Sequence, residues 1–280
     1  MLAVDGSVTQ LPISDKLLEY FGKARSHTAM PHVRLSQLYD VKNNITLDLQ
    51  VESHSTGERK MALKHLNKTQ TGDLIVYNRG YPAVWFYKYH KLRNVDFCMR
   101  IVKSANVVKA FLESGKYSDI VDFPCIEKSL RRCRKDKIST GTLRLRLVRV
   151  DLPGEPEVLV SSLTDLQTYP TALFADLYFQ RWGVEEDYKV LKSRINIENY
   201  SSVSVEGVLQ DLHAKLLTKN LAASATHDAK RKIKKPKKNR LYQYKVNFTF
   251  AINQLKDNVV SFTFNFSILS KSNVILESQW

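Results

Sequence analysis

Ile45, Leu47, Leu49 and Val51 alternate with Thr46, Asp48 and Gln50, a period of two that predicts a β-strand with one buried face. Val33 to Val41 reads as a second strand, and Lys42-Asn43-Asn44 between them predicts an antiparallel hairpin. A helix is predicted over Glu58 to Asn67. The run Leu74-Ile75-Val76-Tyr77 is short and continuously apolar, as in a strand buried on both faces. Phe97 to Lys103 follows as a strand and Asn106 to Ser114 as a helix. From Lys116 to Leu163 the pattern breaks into short alternating pieces, with Thr142 to Val150 and Glu157 to Val160 flanking the turn Pro153-Gly154; this predicts a mostly β insertion. Leu173, Leu177, Val184, Tyr188 and Leu191 then recur at helical spacing and would seat one long helix on the core. A further helix, Val205 to Thr226, covers it.

The polar residues of that long helix change the picture. Tyr178, Arg181, Glu185 and Lys192 stand three, four and seven apart, so at about 100° per residue they share a face roughly 60° wide. A hydroxyl, a guanidinium, a carboxylate and an ammonium on one strip suit phosphate and metal. The same spacing describes an ordinary solvated helix in which Arg181 and Glu185 form an i,i+4 pair, and spacing alone leaves both readings open.

The segment YFQRWGVEEDYKVLK, with its Tyr-x2-Arg-x3-Glu-x6-Lys arrangement, resembles the signature of IS4-type transposases, a branch of the DDE recombinases with an RNase H-like core. LAVDGSVTQLP around Asp5 and DLIVYNRGYPAVW around Asn78 are similar to the segments that carry the first and second catalytic aspartates. The likeness runs from residue 1 to about residue 225. It implies an α/β fold: an RNase H-like mixed sheet with flanking helices and a mostly β insertion before the helix of the catalytic Glu. The expected division is a catalytic core in two parts, 1–115 and 164–228, an insertion over 116–163, and a basic arm with a C-terminal segment over 229–280. The strand before Asp5 is a stub, so the chain is expected to be truncated at its N-terminus relative to the resembled proteins.

By this resemblance Asp5, position 78 and Glu185 are catalytic. Asp5 and position 78 should lie at the carboxyl ends of parallel neighbouring strands, where open α/β sheets place ligands. Two-metal phosphodiester cleavage requires carboxylates that hold two ions about 3.5–4 Å apart, with Asp5 and Glu185 as metal ligands and Mg²⁺ as the cofactor, Mn²⁺ substituting. The family has Asp-Arg-Gly-Tyr where this chain has Asn78-Arg79-Gly80-Tyr81. An amide offers one neutral carbonyl oxygen and an NH₂ that cannot ligate, so little or no strand cleavage is expected of the chain as written. Asp73 sits at the wrong end of its strand to substitute, some 16 Å away at about 3.3 Å per residue. Glu186 and Asp187 are turned off the face of Glu185 and read as surface charges. Tyr178, Arg181 and Lys192 are expected on phosphates of the transposon end. Trp85 and Trp182 read as core, and Gly80 as permitting a tight strand exit.

With 43 basic and 28 acidic residues the net charge is +15, which points to a polyanionic partner. No apolar run approaches the roughly 18 residues needed to span a membrane, and no signal peptide opens the chain. Cys98, Cys125 and Cys133 are too few and too irregular for a zinc site or a disulfide framework, which fits a reducing bacterial cytosol with the protein on the nucleoid. Eight of the eleven residues from Lys230 to Arg240 are basic, and Pro236 forbids a continuous helix. Lys230, Arg231, Lys232, Lys234 and Lys235 are therefore expected on DNA as part of a flexible arm, the rival being a solvating linker. Lys128 to Lys137 forms a second basic patch. The function implied is binding of double-stranded insertion-sequence ends by a homodimer, with hydrolysis and strand transfer in active relatives. A catalytically inactive DNA-binding relative is the alternative, and an RNase H-like nuclease unconnected with transposition is a third reading.

Overall fold

The computed structural model describes residues 1–24, 30–151, 155–232, 245–255 and 276–277, with the side chains of 228–232, 245–246 and 276–277 left aside. Eight strands form one mixed sheet: β1 (Leu2–Gln10), β2 (His32–Asp40), β3 (Ile45–Ser53), β4 (Leu74–Tyr77), β5 (Asp96–Ile101), β6 (Ser118–Phe123), β7 (Leu143–Val150) and β8 (Glu157–Ser161). Their order across the sheet is β3-β2-β1-β4-β5-β8-β7-β6. The first five reproduce the RNase H-like arrangement: an antiparallel meander β3-β2-β1, then β4 and β5 parallel to β1. Strands β6 to β8, from the segment 116–163, continue the same sheet, because β8 pairs antiparallel with β5.

The apolar run at 74–77 is β4, and Ile75, Val76 and Tyr77 are all fully buried. The hairpin is β2–β3, with Asn44 in the left-handed conformation at the turn. Its inward-facing residues and those of β1 pack on two different layers. Leu2, Val4 and Leu38 face a core built with α2 (Glu58–His65) and α3 (Val84–Arg93). Ala3, Leu35 and Tyr39 face one built with α7 (Trp182–Ser193) and α8 (Val205–Lys232). Further α-helices include α1 (Asp15–Phe21), α4 (Asn106–Glu113), α5 (Glu127–Lys135) and α6 (Leu173–Phe179). No helix of the described residues is long and apolar enough to cross a membrane.

Four expectations change. Strand β1 does not stop at Asp5: β2 pairs with it along all nine residues, so Asp5 sits mid-strand. The long helix is two helices, α6 and α7, joined through a turn tightened to i→i−3 bonds at Arg181 and Gly183. Leu173 is 49 % exposed and contributes nothing to the core. The last helix continues to Lys232, so Lys230, Arg231 and Lys232 begin the basic arm as helix rather than as flexible chain. The side chains of these three, and Lys234 and Lys235 altogether, lie outside the described residues.

Candidate active site

Strand β4 pairs with β1 only over Leu2↔Ile75, Ala3↔Val76 and Val4↔Tyr77. The next residues in that register are Asp5 and Asn78. β4 ends at Tyr77 while β1 runs on, so the two chains fork at this point and both side chains stand at the fork. Asn78 Nδ2 donates to Asp5 Oδ1 at 2.9 Å, and Asn78 Oδ1 accepts from the Gly80 backbone N–H at 2.7 Å. Both ends of the amide are thus engaged. Tyr81, fully buried against Tyr77 and Phe86, closes the turn from below, while Arg79 is exposed.

Helix α7 brings the third position. Gly183 lets it approach the hairpin closely: a Cβ there would come within 2.9 Å of Val41 Cγ1. Val184, Tyr188 and Leu191 bury their side chains in the core, and the Tyr188 hydroxyl donates to the backbone oxygen of Asp5 at 3.2 Å. That seat presents Arg181 and Glu185 to Asp5. Arg181 Nη1 lies 2.7 Å from Glu185 Oε1 and 3.7 Å from Asp5 Oδ2. These are charge contacts; neither Nη1 nor Nε has an aligned hydrogen bond, although Arg181 is only 5 % exposed. Tyr178 is buried beneath it, with the guanidinium 5.4 Å from its ring centroid. Lys192, exposed two turns beyond Glu185, donates from Nζ to the backbone oxygen of Val8 at 3.1 Å.

Burial dominates the electrostatics. It pushes the Asp5 carboxyl up to about 6; the Gly6 N–H and the Arg181 charge oppose the rise, and Glu185 and Glu58 add to it. Asp5 therefore sits at the edge of protonation near neutrality unless a cation joins it. Among the described residues no three Asp, Glu, His or Cys side chains converge as a metal-binding group. The donors do fit one hard cation: the carboxylates of Asp5 and Glu185 converge on a point where the Arg181 guanidinium now stands, a monocation where a divalent ion would satisfy both. At position 78 the fit is poorer, since the amide carbonyl is spent on Gly80.

Two further residues depart from their reading. Asp187 is not a surface charge: it is 4 % exposed and pairs with Lys219 of α8, with Thr46 also within hydrogen-bond reach. Burial raises its pKa against the pull of Lys219. Trp182 is not core; it is 47 % exposed and packs its ring on exposed Phe179. Trp85 is half-buried under the Arg132 guanidinium. In the second basic patch Arg132 also pairs with Asp136.

The class defined by fold and site is an α/β domain with an RNase H-like strand order and two carboxylates, Asp5 and Glu185, gathered on one guanidinium beside its central strands. Residues 2–221 match the family model described as "Transposase DDE domain", and the chain belongs to that family. No curated protein sequence matches it. Among solved structures it is similar to one described as "Cryo-EM structure of piggyBac transposase synaptic complex with hairpin DNA (SNHP)", at 10 % identity and a TM-score of 0.51. That likeness covers 98 % of this chain and 55 % of the other, so the chain spans about half the length of that transposase. The NurA nuclease from Sulfolobus solfataricus is matched at 13 % identity over 77 % of this chain and 83 % of its own, with a TM-score of 0.35 that carries no weight.

Proposed function

We propose that this chain is the DDE domain of an IS4-type transposase, which binds insertion-sequence ends as a homodimer and carries Asp5, Asn78 and Glu185 at the catalytic positions. The observation that supports this reading best is the fork between β1 and β4, where position 78 is hydrogen-bonded to Asp5 at 2.9 Å and Arg181 ties Glu185 to the same carboxylate. When bound, Mg²⁺ or Mn²⁺ held by Asp5 and Glu185 supplies activation of the attacking oxygen and stabilisation of the leaving one.

Each residue then has a task. Asp5 and Glu185 hold negative charge where a phosphodiester must be met through a cation. Arg181, buried and paired with Glu185 at 2.7 Å but with N–H groups short of aligned hydrogen bonds, is ready to donate to a phosphate oxygen. Lys192 adds a point charge at Val8, three residues past Asp5 along β1. Tyr178 supports the guanidinium from below. The arm with Lys230, Arg231, Lys232, Lys234 and Lys235 adds phosphate contacts of no sequence preference.

A second reading is favoured by one observation: both ends of the Asn78 amide are satisfied inside the protein. The chain as written then occupies DNA ends without cutting them, as an inactive relative of the enzyme. Fluorescence anisotropy with the DNA that flanks the gene, against a scrambled duplex of equal length, tests the shared part. Tighter binding to the flanking ends is expected, and it weakens on Arg181→Gln or Lys192→Gln. Equal affinity for both duplexes at every salt concentration would contradict end recognition.

A further inference from the structure

Glu58, the first residue of α2, reaches the fork from the face opposite to Glu185. Helix α2 packs on the layer with Val4, Leu38 and Tyr81, and α7 on the layer with Ala3 and Leu35. Gly6 makes room for its carboxylate, and Gly80 lies against it. A Cβ on Gly6 would come within 3.2 Å of Glu58 Oε1, and a Cβ on Gly80 within 3.5 Å of Glu58 Oε2 and 3.1 Å of Asn78 Oδ1. Oε1 accepts from Arg34 Nη1 at 3.0 Å; no hydrogen-bond donor of the described residues meets Oε2. Beside it the Tyr81 hydroxyl is completely buried and has no hydrogen-bond partner. The carboxylate of Glu58 thus crowds against the backbone of the fork beside Asp5 and Asn78, near a buried hydroxyl that no partner among the described residues satisfies.

We propose that Glu58 is a metal-binding carboxylate of this site. The inference rests on the two-metal reading above and adds a residue to it. Glu58 joins Asp5 and Glu185 in holding the ion without occupying position 78, so it leaves the need for a carboxylate there in place. As placed, the three do not enclose an ion, because Glu58 leans on Arg34 and Glu185 on Arg181. Glu58 is about one-third exposed, and a partly exposed ion pair of this kind holds only weakly, so a divalent cation displaces Arg34 by a change of rotamer. The bland account of Glu58 is an acidic residue in the first turn of α2 that pairs with Arg34 and does nothing more.

Mn²⁺ titration of the full chain, followed by the EPR signal of the free ion, separates the two accounts. Thermal melting of each variant shows that it is folded. Glu58→Gln and Glu185→Gln should each weaken Mn²⁺ by about tenfold or more, in the range seen when a metal site loses a supporting group. Gly6→Ala should weaken it too, without removing a charge, because its Cβ meets the Glu58 carboxylate at 3.2 Å; it decides the matter if Glu58→Gln does not fold. Arg34→Gln, which frees Glu58, should bind Mn²⁺ no more weakly than the parent. Parent-like binding by Glu58→Gln and Gly6→Ala alongside a loss in Glu185→Gln would remove Glu58 from the site and leave the proposed function standing. Absence of Mn²⁺ binding in the parent and in Asn78→Asp alike would overturn that function and the role of Glu58 with it.

Discussion

Asn78→Asp restores the family residue, and in the absence of metal it should destabilise the protein. The amide now donates to Asp5 Oδ1 at 2.9 Å, and Asp5 is 9 % exposed with its carboxyl already pushed up to about 6. The substitution removes a hydrogen bond to a charged group, worth about 1.5–3 kcal/mol. It also sets two carboxylates side by side, which at an effective dielectric near 20 and about 4 Å costs up to about 4 kcal/mol. Arg181 offsets part of this, and the pair relieves more by holding one proton between them. A net loss of about 2–3 kcal/mol at pH 8 follows, relative to the parent. The sign with pH is set by the proton. The pair binds it more tightly folded than unfolded, so the deficit is smallest below the usual carboxylate range and grows as pH rises through the raised pKa. Urea unfolding in EDTA at pH 5 and pH 8 reads the effect, and millimolar Mn²⁺ should then raise the midpoint of Asn78→Asp more than that of the parent. Equal midpoints for the two proteins in EDTA at pH 8, or a larger deficit at pH 5, would refute the reasoning.

His90 is buried with Nδ1 on the Phe86 backbone oxygen and Nε2 on the Tyr77 hydroxyl, and burial pushes its pKa down to about 4. Stability should be full above the unfolded value near 6.5 and fall by up to about 3 kcal/mol as pH drops toward 4; a His90→Asn variant with the same slope of stability against pH would contradict this. Asp187→Asn removes the counter-charge of the Lys219 ammonium, whose side chain is 2 % exposed and which also donates to the Asn44 backbone oxygen; it should cost about 3–5 kcal/mol, most of it recovered by Asp187→Leu with Lys219→Met. Equal melting losses in the single and double variants would show that the pair contributes no specific penalty. Deleting residues 230–240 should weaken binding to all DNA sequences alike and flatten the slope of log K against log salt by about 2–4, within a ceiling near 7 for eight basic residues. A salt titration that superimposes on the parent's would make the arm a linker.

What the sequence disclosed follows the physics of each segment. Strand β4 was legible because four apolar residues between Asp73 and Asn78 leave no room for another element, and the β2–β3 hairpin because alternation and a polar turn coincide. Helix α3 was missed because its buried Phe86, Tyr87, Lys88 and His90 are spread around the helix rather than along a stripe. Asp187 was misread because its partner lies on α8, 32 positions away, where local spacing cannot see it. The step at Arg181 tightens the turn, and the expected face divides: Tyr178 packs in the core with Phe174, Arg181 and Glu185 reach Asp5, and Lys192 lies exposed at Val8. Glu58 has no signal in the sequence beyond an acid at a helix start. Only the placement of Gly6 and Gly80 around its carboxylate sets it apart.

The most direct test of the catalytic assignment is nicking of a supercoiled plasmid that carries the flanking ends, in Mg²⁺, by the parent, by Asn78→Asp and by Asn78→Asp with Glu185→Gln. The account predicts no end-specific nicks from the parent, nicks at the ends from Asn78→Asp, and their loss again in the double variant. Equal nicking by the parent and Asn78→Asp, or nicking that survives Glu185→Gln, would contradict it.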